Sequence, residues 1–342
     1  MARGPSGPGM DGILVVAKPA GPTSHDVVAL VRRLSATKRV GHGGTLDPFA
    51  AGVLPLFLGR ATRVAEYHVG DRKRYRATVC FGATSTTDDL EGELTPSEGP
   101  APSRDGVEAA LEQFRGRITQ TPPAYSAIKV GGRRAYALAR AGQTVELAPR
   151  EVEIHRLDLV SWDGEDPERP VAIIEVECSA GTYVRSLARD LGAALGSGAY
   201  LGALTRTASG PFELDAATPL DAVRDAAAAG PEALQALLLP IDAGLDAFPV
   251  VELASEDVEA LARGQLITPP SPLPDDASAR YRVVGPDGKL LAIAGVRAGR
   301  LAPDKVFVEP TARPPIDVAA AEAAELDPPI DVDPDPATID DV

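Results

Sequence analysis

Gly41-His42-Gly43-Gly44-Thr45-Leu46-Asp47-Pro48-Phe49-Ala50-Ala51-Gly52-Val53-Leu54-Pro55-Leu56-Phe57-Leu58-Gly59-Arg60 carries five glycines, two prolines and one carboxylate in a nearly apolar run. Glycine permits positive φ and close approach of backbone to a ligand. The Asp47-Pro48 pair disfavours helix at the aspartate. Val53 to Leu58 is too short to cross a membrane and suits a buried strand. A lone carboxylate on a Gly-rich turn against an apolar wall is either a turn-forming aspartate or a chemically active one, and aspartate is common in turns for its own reasons.

The surrounding chain bounds the choice. Its 342 residues are enough for two ordinary domains. The two cysteines, Cys80 and Cys178, form no C-x-x-C, which argues against a zinc ribbon and fits a reducing cytosol. His25, His42, His68 and His155 lack metal-ligand spacing, so no metal is expected. No signal peptide or membrane-spanning run is read, and the expected location is the cytoplasm. The net charge of −15 at first speaks against nucleic acid, but its distribution does not. Residues 18–76 hold eleven Lys/Arg against four Asp/Glu, while residues 312–342 hold one Arg against nine acids. A basic front and an acidic tail are compatible with an RNA-binding face, although ordinary solvated charge gives the same count.

Local patterns place the elements. Gly12 to Ala17 reads as a buried strand closed by Lys18-Pro19, and Thr23-Ser24-His25-Asp26 starts a helix striped by Val27, Val28, Leu30, Val31 and Leu34. Residues 62–69 read as helix and Lys73 to Gly82 as a strand, alternating from Tyr75 through Phe81. Thr84 to Gly92 is a polar loop in which Asp88 and Asp89 are expected to form the turn. Asp105 to Phe114 reads as a short helix. Glu151–Val160 and Val171–Cys178 read as paired strands, Leu201–Thr207 as another, and 218–247 as Ala/Leu-rich helix broken at Gly230-Pro231. Farther on, Val/Leu strands flank the Pro286-Asp287-Gly288 turn.

Three stretches together resemble one family. The opening run, continued through Ala61 and Thr62, is similar to the G-H-x-G-x-L-D-P-x-A-x-G-x-L-P-x-x-x-G-x-A-T signature of the bacterial tRNA pseudouridine synthase B (TruB) family. Gln120 to Tyr136 resembles its Q-x-P-P-x-Y-S-A-x-K-x-x-G-x-R-x-Y, and Cys178 to Leu187 its C-S-x-G-T-Y-x-R-x-L. Thr87, Asp89 and Gly92 fit its T-x-D-x-x-G.

The resemblance implies an enzyme that converts uridine to pseudouridine at position 55 in the T-arm of tRNA, with no cofactor, metal or guide RNA. It assigns Asp47 as the essential carboxylate, Arg185 as its ion-pair partner and Tyr75 as the residue packed on the target base. It makes His42 the filler of the space left by the flipped nucleotide, with Tyr183 and Leu204 lining the pocket and Lys18 beside it. Lys129, Arg133 and Arg134 would sit on a thumb-like insertion, about 121–150, meeting the phosphate backbone. A catalytically silent RNA-folding protein and a guide-dependent enzyme on the same scaffold are the competing readings. Retention of Asp47, Tyr75 and Arg185 together favours an enzyme, because binding alone requires none of them. Arg185 lies in the first turns of a helix, where the dipole gives a cation no favourable reason to sit; its bland reading is a surface arginine, the commonest fate of that residue. If the two do meet, Arg185 is expected to oppose the effect of burial and keep Asp47 ionised.

The expected fold is α+β: a central mixed, mostly antiparallel sheet with flanking helices over residues 11–247, then a small PUA-like β domain over 248–310. Residues 1–10 and the acidic tail, 311–342, read as disordered. A monomer is expected.

Overall fold

The computed structural model describes residues 9–311 except 127, 275 and 277. Residues 1–8 and 312–342, and so almost all of the two segments read as disordered, lie outside the described residues. The chain divides into two compact units between Val250 and Val251.

The first unit is built on a ten-stranded sheet. Its strands are β1 (Gly12–Lys18), β2 (Val40–His42), β3 (Ala51–Leu58), β4 (Lys73–Phe81), β5 (Gly116–Gln120), β6 (Arg150–Asp163), β7 (Val171–Cys178), β8 (Ala199–Ser209), β9 (Phe212–Glu213) and β10 (Thr218–Pro219). They lie in the order β10-β1-β3-β8-β4-β7-β6-β5, with β2 on β3 and β9 on β8. Only β10/β1 and β8/β3 run parallel; the other pairs are antiparallel. The expected mixed, mostly antiparallel sheet is therefore present.

Three helices cover one face: α1 (Ser24–Leu34), α2 (Arg104–Leu111) and α3 (Val184–Ala194). Thr23 caps α1 in a full capping box with Asp26, in keeping with the helix start expected there. Val27, Val31, Val107, Leu111, Leu187 and Leu191 from these helices join Leu14, Leu56, Val79 and Ile174 of the sheet in one core. On β4 and β7 the alternate residues face the other way, and towards one end of the pair they are charged. Arg74 lies opposite Glu177 and Arg76 opposite Glu175, so cross-strand ion pairing occupies the face that the helices leave open.

The structure corrects several boundaries. The segment 62–69 is a short 3₁₀ turn, Gly59–Arg63, followed by helix Ala65–Val69. The helix expected over 218–247 breaks at Gly230-Pro231 as expected but is shorter: it runs as Leu220–Ala229 and Pro231–Gln235, after which the chain runs in turns. Gly230 adopts φ 129°, which a helix cannot propagate, and Pro231 restarts the helix at its first position, where its missing N–H costs nothing.

The second unit holds a four-stranded sheet in the order Val250–Glu252, Tyr281–Val284, Leu290–Arg297 and Arg300–Val306, with helix Ser255–Ala262. Leu253, Leu261, Tyr281, Val283 and Leu301 form its own core. The Pro286-Asp287-Gly288 turn joins its two middle strands, as its residues predict.

Candidate active site

The loop between β2 and β3 carries Asp47 and is held from several sides. Ser24, the first residue of α1, donates its hydroxyl to the Leu46 carbonyl (3.0 Å) and accepts from the Leu46 N–H (2.8 Å). The Pro48 carbonyl accepts from Gly21 N–H at 2.8 Å and from Lys18 Nζ at 3.3 Å. Gly52, near the start of β3, has φ 113°, and a Cβ there would stand 2.2 Å from the Arg206 carbonyl. Only glycine admits this close approach of β3 to β8.

Arg185 enters the site from the second residue of α3. Its Nε lies 3.0 Å from Asp47 Oδ2, near enough for an ion pair, although the N–H is not aligned as a hydrogen bond. Nη1 lies 3.2 Å from Asp89 Oδ2 and donates to the Thr87 carbonyl at 3.1 Å. Nη2 donates to the Tyr125 carbonyl at 2.9 Å. The arginine is 4% exposed, which removes the surface-residue reading. The start of α3 is fixed by Gln120 on β5, whose side-chain amide donates to Tyr183 O and accepts from Tyr183 N–H.

Asp89 has a larger part than the turn expected of it. With Asp88 it does form a turn, and Asp88 has φ 61°. Yet both carboxylates also reach α3: Asp88 pairs with Arg189 at 2.8 Å and Asp89 with Arg185. Asp89 is 3% exposed and also accepts from Thr87 Oγ1 and the Glu91 N–H. The signal in the sequence that could have found it is the T-x-D-x-x-G pattern, because a buried arginine needs more than one acceptor.

Burial pushes the Asp47 carboxyl above the usual carboxylate range. Arg185 opposes this and the Asp89 charge reinforces it. Arg185 therefore does not fully offset burial as expected; desolvation is the larger effect. Tyr75 sits on β4, partly buried against the core. Burial also raises its hydroxyl, against the pull of Arg206, so it stays a phenol at neutral pH.

Lys18 requires a correction. Expected beside the substrate, it is 1% exposed and its Nζ donates to the carbonyls of Pro19 (2.9 Å), Pro22 (2.8 Å) and Pro48. Desolvation holds its ammonium down to about 8, with Asp47 pulling the other way. It supports the Asp47 loop from beneath and presents no surface to an RNA. Leu204, on β8, is buried in the core cluster at 8% exposure. His42 is half-buried, accepts from Gly44 N–H at 3.3 Å, and is held towards its neutral form by desolvation first and by the charges of His25 and Arg206. Tyr183 lies under the Arg150 guanidinium, 4.8 Å from its ring centroid.

The expected basic insertion is a separate hairpin, Lys129–Val130 against Arg133–Arg134, leading into helix Ala135–Arg140. Gly131 and Gly132 turn it with φ 57° and 82°, as a type I′ turn requires. Lys129 and Arg133 are exposed. The Arg134 side chain lies outside the described residues. Among the described residues no cluster of three or more His, Cys, Asp or Glu could hold a metal ion, and no helix is long and apolar enough to cross a membrane.

This constellation, one half-buried carboxylate paired with a helix-borne arginine beside a partly buried tyrosine, stands on a scaffold with close relatives. Residues 32–184 match the N-terminal domain of the TruB family of pseudouridylate synthases, and residues 185–246 match the C-terminal domain of tRNA pseudouridylate synthase B. A tRNA pseudouridine synthase B of Bradyrhizobium diazoefficiens is 45% identical over 86% of this chain and 85% of its own length. That of Thermobifida fusca is 44% identical over 87% and 98%. The chain belongs to the TruB family of pseudouridylate synthases and is an isomerase of tRNA modification. Among solved structures, a chain of the Cbf5-Nop10-Gar1 complex superposes with a TM-score of 0.66 over 89% of this chain and 88% of its own. At 24% identity that likeness speaks to the fold alone.

Proposed function

We propose that this protein converts uridine to pseudouridine at position 55 in the T-arm of tRNA, without a guide RNA, and that Asp47 is the essential group. The reaction breaks the N1–C1′ glycosidic bond, turns the base and forms a C5–C1′ bond. It calls for an ionised carboxylate at the sugar, as nucleophile or as partner of a cationic transition state. The observation that carries the reading is the Asp47–Arg185 pair, at 3.0 Å on a loop that hydrogen bonds from Ser24, Gly21 and Lys18 help to hold in place. Arg185 counteracts the burial that disfavours the anion and so helps keep the carboxylate available.

A stacked base cannot reach such a site, so the nucleotide flips into it. His42 fills the gap in the stack, Tyr75 packs on the base, and Tyr183 and Leu204 close the pocket. Lys129, Arg133 and Arg134 meet phosphates, supplying affinity without base readout. The second unit acts as a PUA-like domain binding tRNA away from the T-loop. The protein works as a cytoplasmic monomer.

The test uses an unmodified tRNA transcript labelled with tritium at C5 of uridine and no other RNA. Wild type should release tritium, Asp47→Ala should bind without release, and replacing the uridine at position 55 should abolish release. Binding by wild type without release would instead support the silent RNA-folding reading.

A further inference from the structure

We propose that Arg206 is a positioning residue for this reaction, tying the loop that carries Asp47 to β8, the strand paired with the one that carries Tyr75. The inference rests on the reading of Asp47 and Tyr75 just given. Strand β8 lies between β3 and β4, and Arg206, like Thr205, is in register with both; it stands opposite Gly52 on one side and Tyr75 on the other. Its side chain is 1% exposed. Nε donates to the Val53 carbonyl at 2.8 Å and Nη2 to the Gly44 carbonyl at 3.1 Å.

Among the described residues, no carboxylate forms an ion pair with Arg206, whereas Arg185 has two. A buried cation without a counterion opposes stability, so an apolar side chain would serve the core better. The arginine's distinguishing property is its set of fixed, divergent donors. One reaches the loop three residues before Asp47, and Lys18 holds the carbonyl one residue after it. Arg206 thus fixes where the loop that carries Asp47 stands against β3 and β8.

The test compares full-length wild type, Arg206→Lys, Arg206→Gln and Arg206→Met with unmodified tRNA transcript under single-turnover conditions, enzyme saturating. The rate constant then reports the bound complex and is insensitive to any inactive fraction, which melting curves follow separately. Gln and Met should lower the rate constant roughly 10- to 100-fold, the scale of a small misplacement of reacting groups, with tRNA Kd changed less than about twofold because Arg206 reaches no surface. Lys should recover part of the loss. Should Gln and Met fail to fold, Lys still decides: it keeps the charge but loses the divergent donors, so its rate constant should still fall below wild type. Rate constants equal to wild type, or a loss confined to Kd or amplitude, would overturn the proposal. A wild type that releases no tritium would instead sink the functional reading itself, and this inference with it.

Discussion

Asp47 and Asp89 share one guanidinium: Arg185 Nε lies 3.0 Å from the first and Nη1 3.2 Å from the second. Two carboxylates on one cation leave a surplus negative charge, and their surroundings differ. Asp89 accepts additional hydrogen bonds from Thr87 Oγ1 and the Glu91 N–H. Among the described residues no such donor meets the Asp47 carboxylate, whose side chain is 34% exposed. The less satisfied carboxylate is the one that a substrate can reach. Environments that treat two neighbouring carboxylates so differently are a mark of a site in which one works and the other supports it.

Asp47→Asn should lower the rate of tritium release by roughly 10⁴-fold or more, the scale seen when an essential reacting group is removed, while leaving the fold intact. The stability sign follows from the raised carboxyl. A carboxyl raised on folding contributes stability fully present below the ordinary carboxylate pKa and lost as pH rises through its folded value. At neutral pH the wild type carries that loss and the amide does not. Thermal melts at pH 7 should show Asp47→Asn at least as stable as wild type, and a clear drop would contradict this account.

The acid limb of the single-turnover pH profile should report Asp47 and lie above the ordinary carboxylate range. Asp89→Asn removes a like charge that raises the Asp47 carboxyl, so the limb should move to lower pH. Arg185→Gln removes the opposing cation, so the limb should move to higher pH while the maximal rate falls. Equal limbs in all three proteins would mean that another group titrates.

Lys129→Ala and Arg133→Ala should raise tRNA Kd and leave the single-turnover rate constant unchanged, since both side chains are exposed on the hairpin and take no part in the ion pairs around Asp47. Each should reduce the slope of log Kd against log salt by about 1, because each variant neutralises one phosphate fewer. A fall in rate constant at saturation would move these residues from affinity to chemistry.

Lys18→Met should destabilise the protein by roughly 1–3 kcal/mol, the cost of leaving buried carbonyls without a donor. Because the ammonium is held down to about 8 in the folded state, against an ordinary value of 10.5, the folded protein sheds its proton first. Between those two values the unfolded chain binds more protons, so this group's contribution to stability rises with pH. The gap between wild type and Lys18→Met in urea melts should therefore widen from pH 8 to 10.

What the sequence alone determined is what depends on neighbours along the chain. Alternation from Tyr75 to Phe81, the helix start at Thr23 to Asp26, the Pro286-Asp287-Gly288 turn and the Gly-rich run around Asp47 are local patterns, and each was legible because local sterics and periodicity produce it. The pairing of Arg185 with Asp47 was legible only through resemblance, since nothing in either stretch states that they meet. Only the tertiary structure decided which charges lie inside. Sheet order brings β3, β8 and β4 together and so places Arg206 between Gly52 and Tyr75. The packing of α3 gives Asp89 a share of Arg185, and the loop folded over Lys18 turns an expected substrate neighbour into a buried brace. An arginine at a core-facing position of an alternating strand hints at such a role, but its partners depend on strand order and register. Those are set by long-range burial of the whole apolar pattern, which no single stretch contains.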